Sequence, residues 1–335
     1  MDLGTNNCRL LIARPSRRGF NVVDAFSRII RLGEGLTACG ALSDDAMDRA
    51  VDALRVCASK VRRHGVKRGR FVATQACRIA ANGEAFVARV RDEVGLDLEI
   101  LTPEAEARLA VAGCASLIDP QAELAMVFDI GGGSSELIWL DTSQHRHKRP
   151  RRKRQGHGGK IIAWTSLPVG VVTLAERHNG RFVTAPVFEE MVADVLGMIE
   201  PFEREHRMRE RFSDAHGHFL GTSGTVTTLA GIQMRLPKYD RRKVDGCWLG
   251  VDGVRSVTQD LLEKSYEERC AQPCIGKDRA DLVLAGCAIL EAFLRTWPAE
   301  RLRVADRGLR EGILWSLMSD DGLPQALRRN QIQAR

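Results

Sequence analysis

Two segments of the chain combine residue types that can bind phosphate groups and a divalent cation. Residues 2–11 read Asp-Leu-Gly-Thr-Asn-Asn-Cys-Arg-Leu-Leu, and residues 129–138 read Asp-Ile-Gly-Gly-Gly-Ser-Ser-Glu-Leu-Ile. In both copies an aspartate, an aliphatic residue and a glycine precede four small or polar residues, one charged residue and two aliphatics. Because internal similarity constrains the architecture of a chain, the repeat predicts two related halves that face one ligand site.

Each copy is expected to form a tight β-hairpin whose turn binds an anion. Gly4 in the first copy and Gly131, Gly132 and Gly133 in the second allow positive φ and close approach of the backbone. Main-chain N–H groups in such a turn can converge on an anion, and neutral side-chain donors lie beside them. These side chains belong to Thr5, Asn6, Asn7, Ser134 and Ser135. Ordinary glycine-rich hairpins are the alternative, but two copies at domain-scale spacing favour phosphate binding.

The aspartate that ends the first strand of each hairpin is placed to bind a metal ion or its water shell. These residues are Asp2 and Asp129. Mg²⁺ prefers carboxylates in combination with phosphate oxygens. The two segments therefore predict a site for a phosphate compound and its magnesium ion.

Length and composition limit the class of protein. With 335 residues, the chain can form two domains. It contains no apolar run of about 18 residues, which excludes a predicted membrane span, and its polar start excludes a signal peptide. The nine cysteines include no C-x-x-C pair, which favours a reduced, cytoplasmic location. Cys270 and Cys274 have no second ligand pair, so we expect no zinc site.

The net charge of +7 indicates an anionic partner. Much of the excess lies in residues 145–160, a predicted loop that begins His-Arg-His-Lys-Arg-Pro-Arg-Arg-Lys-Arg. A solvated hairpin tip is one interpretation, and an electrostatic funnel for a polyanion is the other. The loop has no interleaved aromatic residue for base stacking, which argues against nucleic acid.

Strand-like and helix-like patterns alternate along the chain, which predicts the α/β class. Ser43 is a predicted N-cap, and Gly95 is a predicted helix terminator. A tight turn at Ser223 and Gly224 joins a strand to a helix, and the N-terminus of that helix is a third candidate anion site. Predicted helices cover 44–64, 83–94, 103–115, 186–205, 251–266, 281–295 and 308–318, and predicted strands cover 20–26, 71–74, 98–101, 124–128, 137–140, 161–167 and 302–306.

In this order, the motifs resemble those of the Ppx/GppA phosphatase family, which belongs to the actin–hexokinase–Hsp70 superfamily. The resemblance covers Asp2 to about Met318. It rests on the two repeats and on seven further segments, which are Arg-Leu-Gly-Glu-Gly-Leu at 31–36, Ala-Thr-Gln-Ala-Cys-Arg at 73–78, Glu-Ala-Arg-Leu at 106–109, Leu-Pro-Val-Gly-Val-Val at 167–172, Gly-Thr-Ser-Gly-Thr at 221–225, Arg-Ala-Asp at 279–281 and Asp-Arg-Gly-Leu-Arg-Glu-Gly at 306–312.

The resemblance implies two actin-like (ribonuclease H-like) domains with the phosphate chain bound in a cleft between them. We assign the first domain to 1–115, joined by a C-terminal helix near 308–330, and the second to 116–307, with the basic loop at 145–160 as an insertion. The family's catalytic base corresponds to Glu106, and its metal-associated acids correspond to Asp129 and Glu136. The family's phosphate-binding positions correspond to Asn6, Asn7, Arg78, Gly131, Gly132, Gly133, Ser134 and Ser135. Spacing alone does not distinguish Glu106 from Glu104 as the base.

The chain also departs from the family. Ala105 stands where many members carry a second acid next to the base, and the C-terminal HD-type extension of long members is expected to be absent. We expect the basic loop to replace part of that extension's anion-binding surface. Replacing its Arg and Lys residues with Ser should then raise the KM for long polyphosphate.

The resemblance implies Mg²⁺-dependent release of orthophosphate from inorganic polyphosphate, with hydrolysis of pppGpp as the alternative. A sugar kinase or Hsp70-like ATPase, and a non-catalytic sensor of alarmones or polyanions, are the rivals from other classes. Oligomeric state stays open, a homodimer included. The two repeats also differ, because Arg9 aligns with Glu136 and only Met1 precedes Asp2. We therefore expect the first copy to suit phosphate and the second to suit metal. We also expect a first strand that either continues upstream of Met1 or is frayed, which makes the first hairpin the less firmly held.

Overall fold

The computed structural model describes residues 1–16, 19–143 and 159–321. Most of the predicted basic loop, residues 145–158, lies outside the described residues. The chain forms two compact units. Unit 1 comprises Met1–Gly113 and the residues from Gly308 onward, and unit 2 comprises Cys114–Arg307. Strands and helices are numbered below along the whole chain.

Unit 1 contains a five-stranded sheet covered by helices. Its strands are β1 (Asp2–Leu3), β2 (Asn7–Ser16), β3 (Gly19–Ile29), β4 (Phe71–Ala73) and β5 (Leu98–Ile100). Its helices are α1 (Leu36–Cys39), α2 (Asp44–Arg63), α3 (Gln75–Ile79), α4 (Gly83–Val94), α5 (Pro103–Cys114) and, at the far end of the chain, α14 (Leu309–Asp320). The strand order is β3-β2-β1-β4-β5. The first three strands form an antiparallel meander, and β1, β4 and β5 are parallel.

Unit 2 contains a six-stranded sheet with a related order. Its strands are β6 (Leu124–Ile130), β7 (Ser135–Asp141), β8 (Lys160–Leu167), β9 (Gly217–Thr222), β10 (Trp248–Gly250) and β11 (Arg301–Ala305). Its helices are α6 (Val171–Arg177), α7 (Ala185–His206), α8 (Met208–Asp214), α9 (Gly224–Gln233), α10 (Arg241–Val244), α11 (Val251–Glu263), α12 (Tyr266–Ala271) and α13 (Val283–Thr296). The order is β10-β11-β9-β6-β7-β8. Strands β6 to β8 form the meander, β9 and β11 continue in parallel, and β10 adds an antiparallel edge.

The two sheets share one arrangement. In each, a three-stranded antiparallel meander has its first strand next to two further strands that run parallel to it. This repeated plan confirms the predicted α/β class with two actin-like domains. It also confirms that the sequence repeat marks equivalent hairpins. Asp2 lies opposite Arg9 in the first hairpin, and Asp129 lies opposite Glu136 in the second.

Local sequence signals explain where several helices begin and end. The Ser43 hydroxyl caps α2 by accepting a hydrogen bond from the Ala46 N–H group at 3.3 Å. Gly95 ends α4 in the left-handed region with φ of 72°, a conformation that suits glycine. The predicted helix over 251–266 is three residues too long, because α11 ends at Glu263 and a separate helix, α12, begins at Tyr266. Ser265 begins α12 with a capping box, in which Glu268 returns the hydrogen bond.

Strand β1 is short, as expected, but it is not frayed. The Met1 ammonium group donates to the Arg70 carbonyl at 2.7 Å, and the Met1 carbonyl accepts from the Val72 N–H group at 3.0 Å. A small cavity, partly open to solvent, lies beside Met1. Its lining residues come from the next stretch of β2, from the segment before β4, and from α2 and α14; they include Leu11, Ile12, Ala13, Arg68, Gly69, Val61 and Leu314.

In unit 2 the equivalent strand is complete and fully covered. Residues Leu124 to Phe128 of β6 are all buried, as expected for a central strand with both faces packed. Aromatic rings fill the core on this side. They are those of Phe128, Trp139, Phe212, Phe219, Phe293 and Trp297. Within the described residues, no helix is both long and apolar enough to cross a lipid bilayer.

Candidate active site

The first hairpin turn, Gly4 to Asn6, is shaped by main-chain hydrogen bonds that occupy its carbonyl groups. The Gly4 N–H group donates to the Asn7 carbonyl at 2.8 Å. The Thr5 carbonyl accepts from Gly33, and the Asn6 carbonyl accepts from Ile30. With its carbonyls engaged in this way, the turn can offer N–H groups to an anion. Thr5 and Asn6 are buried, with exposed fractions of 5% and 7%.

The second turn, Gly131 to Ser134, is built in the same way. The Gly131 N–H group donates to the Ser134 carbonyl at 2.9 Å. The Gly131 and Gly132 carbonyls accept from the N–H groups of Val171 and Val172, at 3.0 and 2.8 Å, at the start of α6. In the described part of the chain, no acceptor lies within hydrogen-bonding range of the N–H groups of Gly132, Gly133 and Ser134. Successive N–H groups of this kind in a turn can bind an anion.

A glycine supports each turn from behind. A Cβ atom at Gly33 would lie 2.3 Å from the Thr5 methyl group. A Cβ atom at Gly170 would lie 2.4 to 2.5 Å from the main chain of Gly132 and Gly133. Both glycines follow the third strand of their meander, within the segments 31–36 and 167–172 noted in the sequence. Their absence of a side chain is what allows the supporting segment to touch the turn.

Arg78 and Glu106, which are far apart in the sequence, form an ion pair in unit 1. Arg78 Nη1 lies 3.2 Å from Glu106 Oε2 and donates to the Leu101 carbonyl at 2.6 Å. The Glu106 side chain is only 14% exposed, whereas Glu104 is 53% exposed and pairs with Arg108 one turn along α5. The structure thus separates the two glutamates that spacing could not distinguish. Glu106 is the one held in a protected, charged environment.

Asp129 and Glu136 lie directly opposite each other across β6 and β7. Side chains at opposite positions of an antiparallel pair project from the same face, with Cβ atoms about 5 Å apart, and like charges there repel. Glu136 is almost fully buried and accepts a hydrogen bond from the Ser166 hydroxyl at 2.9 Å. Two carboxylates in this relation fit a divalent cation, which would offset their repulsion.

The described residues contain no cluster of three or more His, Cys, Asp or Glu side chains that could hold a metal ion unaided. Mg²⁺ usually takes one or two carboxylates and completes its shell with substrate oxygens and water, so the pair remains a suitable donor set. Asp2 is placed differently, because it lies opposite Arg9. Burial raises the pKa of the Asp2 carboxyl, although Arg9 and Arg310 act in the other direction.

Ser223 and Gly224 form the third predicted anion site, at the N-terminus of α9. Ser223 has φ of 80° and ψ of −170°, a region that is almost restricted to glycine and costs roughly 1–3 kcal/mol. Its carbonyl accepts from the Thr227 hydroxyl at 2.9 Å. Strain of this kind is typical of functional sites. A Cβ atom at Gly224 would meet no atom within 4 Å, so the first turn of the helix is open at this point.

The sequence did not identify several residues that position this machinery. Ser166 orients Glu136, and the Leu101 carbonyl holds Arg78. The Ser135 side chain, predicted to bind phosphate, is fully buried and donates to the Val169 carbonyl at 2.7 Å. The motifs at 31–36 and 167–172 contain Gly33 and Gly170, so the glycines that support the turns could have been found from sequence. No local sequence pattern indicates that Arg78 contacts Glu106 and the Leu101 carbonyl.

The fold and these elements define a two-unit α/β protein of the actin-like class that carries a glycine-containing hairpin turn in each unit. The sequence profile of the Ppx/GppA phosphatase family matches residues 11–321. The chain therefore belongs to the Ppx/GppA phosphatase family.

Individual relatives agree with this assignment. The chain is similar to a guanosine-5'-triphosphate,3'-diphosphate pyrophosphatase of Photobacterium profundum, with 26% identity over 95% of this chain. It spans 59% of that relative's length. The crystal structure of the Aquifex aeolicus family member is similar at 31% identity and a TM-score of 0.73, over 96% of each chain. An exopolyphosphatase from Cytophaga hutchinsonii shares the fold, with 24% identity and a TM-score of 0.82 over 95% of this chain and 96% of its own.

Proposed function

We propose that this chain hydrolyses the terminal phosphoanhydride bond of inorganic polyphosphate and releases orthophosphate, with Mg²⁺ as the assisting cation. The observation that carries the proposal is the half-buried pair of Glu106 and Arg78, on the same unit as an anion-binding turn. Hydrolysis of a phosphoanhydride needs little covalent chemistry from the protein, because positioning and charge stabilisation supply most of the catalysis. The pair places a carboxylate and a guanidinium side by side for these two tasks.

In this proposal each residue has a distinct task. Glu106 orients the attacking water and accepts its proton, as a carboxylate within hydrogen-bonding reach can do. Arg78 offsets negative charge on the phosphoryl group. The turn N–H groups, with Gly4, Thr5, Asn6 and Asn7 in unit 1 and Gly131 to Ser135 in unit 2, bind phosphate oxygens. Ser135 acts by holding the turn in place, and Ser223 and Gly224 offer a further helix N-terminus.

Asp129 and Glu136 would hold the magnesium ion, and Ser166 would keep Glu136 in position. When bound, Mg²⁺ supplies positive charge that offsets the oxygens of the transferring phosphate. Asp2, which lies opposite Arg9 in unit 1, would orient that arginine.

Hydrolysis of pppGpp is the second candidate. It is favoured by the name of the Photobacterium profundum relative, which describes a guanosine-5'-triphosphate,3'-diphosphate pyrophosphatase. Both reactions require the same terminal chemistry. A phosphate-release assay with polyphosphate and pppGpp side by side, with and without Mg²⁺, tests the proposal and ranks the substrates. Phosphate transfer from ATP to a sugar, or tight alarmone binding with no hydrolysis, would contradict it.

The catalytic assignment is tested with Glu106→Gln. We expect turnover to fall by about 10²–10⁴-fold, the usual contribution of general base catalysis, with substrate binding retained. Glu104→Gln is the matched control, since it removes the same charge from the same helix at an exposed position. Equal activity of the two variants would refute the assignment of Glu106.

A further inference from the structure

Unit 2 carries two arginines stacked on one tryptophan at the edge of its sheet. Trp248 of β10 lies opposite Arg303 of β11. The guanidinium carbon of Arg301 is 4.3 Å from the indole centroid, and that of Arg303 is 5.0 Å. The His218 ring of β9 meets the same indole edge-on at 5.2 Å. We refer to these four residues as the Trp248 cluster.

The charges of the two arginines are not balanced by acids. Among the described residues, no carboxylate lies within ion-pair range of Arg301 or Arg303, whereas Arg255 and Arg295 of the same unit share Glu291. Cation–π contacts hold the two guanidinium groups, but their positive charges repel each other. The cluster therefore concentrates positive charge. Asp119 acts electrostatically on His218, but among the described residues no acid is paired with either arginine.

Two buried nitrogen atoms of the cluster also lack partners. Arg303 Nε and His218 Nε2 are buried without a hydrogen-bond partner in the described part of the chain. Burial lowers the pKa of His218 to about 4, so its ring is neutral near pH 7. Buried polar atoms of this kind are uncommon in native proteins and call for an explanation.

We infer that the Trp248 cluster is a second anion-binding site, which holds a remote part of a polyphosphate chain. Guanidinium groups match phosphate oxygens with paired N–H donors. The indole already carries two guanidinium groups, which leaves less of its surface for a stacked base and favours polyphosphate over nucleic acid. The inference rests on the proposed function, because it assigns to polyphosphate a binding role away from the reacting phosphate.

The position of the cluster supports this role. His218 is near the start of β9, while Thr222 and Ser223, next to the third anion site, follow at its end. At a rise of about 3.3 Å per residue, the four residue-to-residue steps from His218 to Thr222 span roughly 13 Å. A short substrate bound at the end of β9 would not reach the cluster, whereas a long chain would. The effect of the cluster must therefore depend on chain length.

The experiment compares two double variants that each remove two positive charges from unit 2. Arg301→Ser with Arg303→Ser disrupts the cluster, and Arg255→Ser with Arg295→Ser is the control, since those arginines are paired with acids. Binding of long-chain polyphosphate and of tripolyphosphate is measured in a Glu106→Gln background, in which we expect turnover to be slow. We expect the cluster variant to bind long chains about tenfold more weakly, as loss of charge-assisted hydrogen bonds predicts, and to bind tripolyphosphate unchanged.

Equal weakening by both double variants would overturn the inference, since it would indicate general charge attraction. Equal weakening for long and short chains would overturn it as well. Tighter binding of a single-stranded oligonucleotide of the same charge, lost only in the cluster variant, would assign the site to nucleic acid instead. If the parent protein hydrolyses neither polyphosphate nor pppGpp but the binding results hold, the proposed function fails while the binding site stands.

Discussion

The two hairpins share the same backbone arrangement but carry opposite charges at the residue that faces the aspartate. Asp2 faces Arg9, and Asp129 faces Glu136, at the same register in each unit. The turns close with the same hydrogen bond, at 2.8 and 2.9 Å. A single cross-strand residue therefore gives the two hairpins opposite charges beside their aspartates. In our proposal, this difference suits the first hairpin to an anion and the second to a cation.

The largest expected effect concerns this cross-strand residue. We expect Glu136→Gln to lower activity about 100-fold and to raise the Mg²⁺ concentration required, since groups that hold a metal contribute about 10–100-fold in affinity or activity. Arg9→Gln should raise KM and leave the Mg²⁺ requirement unchanged. Activity measured across a Mg²⁺ titration checks both. A similar change in Mg²⁺ dependence for the two variants would mean that the hairpins do not divide their roles.

The next effect concerns the glycines behind the turns. Gly170→Ala should destabilise the protein by about 3 kcal/mol, at the upper end of overpacking costs, because the new Cβ atom would meet main-chain atoms that cannot rotate away. Gly33→Ala should cost only about 1 kcal/mol, because the Thr5 methyl group can turn aside. Denaturant unfolding of both variants provides the measurement. A larger loss for Gly33→Ala would reverse our ranking of the two supports.

Because strand β1 of unit 1 is short, we expect that an extension ahead of Met1 will stabilise the protein. Burial lowers the pKa of the Met1 ammonium group to about 6 from 8.0. Between these values the folded chain binds fewer protons than the unfolded chain, so its stability falls as pH falls from 8 to 6. Adding Ala-Met-Val, the sequence of residues 125–127 in β6, ahead of Met1 should move the charge outward and fill the cavity. We expect a gain of about 2 kcal/mol at pH 6, from the shift of two pKa units, and a flat profile over this window.

A Gly-Ser-Gly extension is the control for this experiment, since it moves the amine but adds no apolar side chain. It should remove the pH dependence and stabilise less than Ala-Met-Val. If the two extensions stabilise equally, the cavity beside Met1 does not accept a strand and only the charge matters.

The smallest expected effects concern the N-cap residues of α9 and α3. Ser223→Gly should stabilise the protein by about 1 kcal/mol, because glycine adopts the φ of Ser223 without strain. Thr74, the N-cap of α3, has φ of −116°, and Thr74→Gly should destabilise by about 1 kcal/mol through backbone entropy. Thermal unfolding distinguishes the two signs. A loss of stability in Ser223→Gly would mean that the hydroxyl, and not the backbone conformation, dominates at this position.

Much of the fold could be predicted from sequence because its signals are local. The predicted limits of α4 agree with the structure, because Gly95 is a strong terminator. The hairpins were predictable because glycine, polar residues and flanking aliphatics recur in the same order. Strand β10 was missed, since three residues carry too little pattern. The break between α11 and α12 was also not predicted, although Ser265 and Glu268 have the residue types and spacing of a capping box.

The site was less predictable, because its contacts join distant parts of the chain. Nothing near Arg78 indicates that it lies 3.2 Å from Glu106, since the contact joins the end of α3 to the first turn of α5, which are distant in sequence. The burial of Ser135 and its bond to Val169 depend likewise on the third strand of the meander. The residue types of the candidate site could be recognised in the sequence, whereas tertiary packing determines which of them are paired.

Each meander also contains one β-bulge, between Ile12 and Ala13 in unit 1 and between Trp139 and Leu140 in unit 2. Each bulge begins three positions after the residue that faces the aspartate. An irregularity at the same point of both meanders is a mark of common descent, since bulges persist within families. In the sequence, residues 17–18 connect β2 to β3 in unit 1, and residues 142–159 connect β7 to β8 in unit 2. The sequence between β7 and β8, which includes the basic segment, is thus longer than the sequence between β2 and β3, and connections between strands are where insertions are readily tolerated.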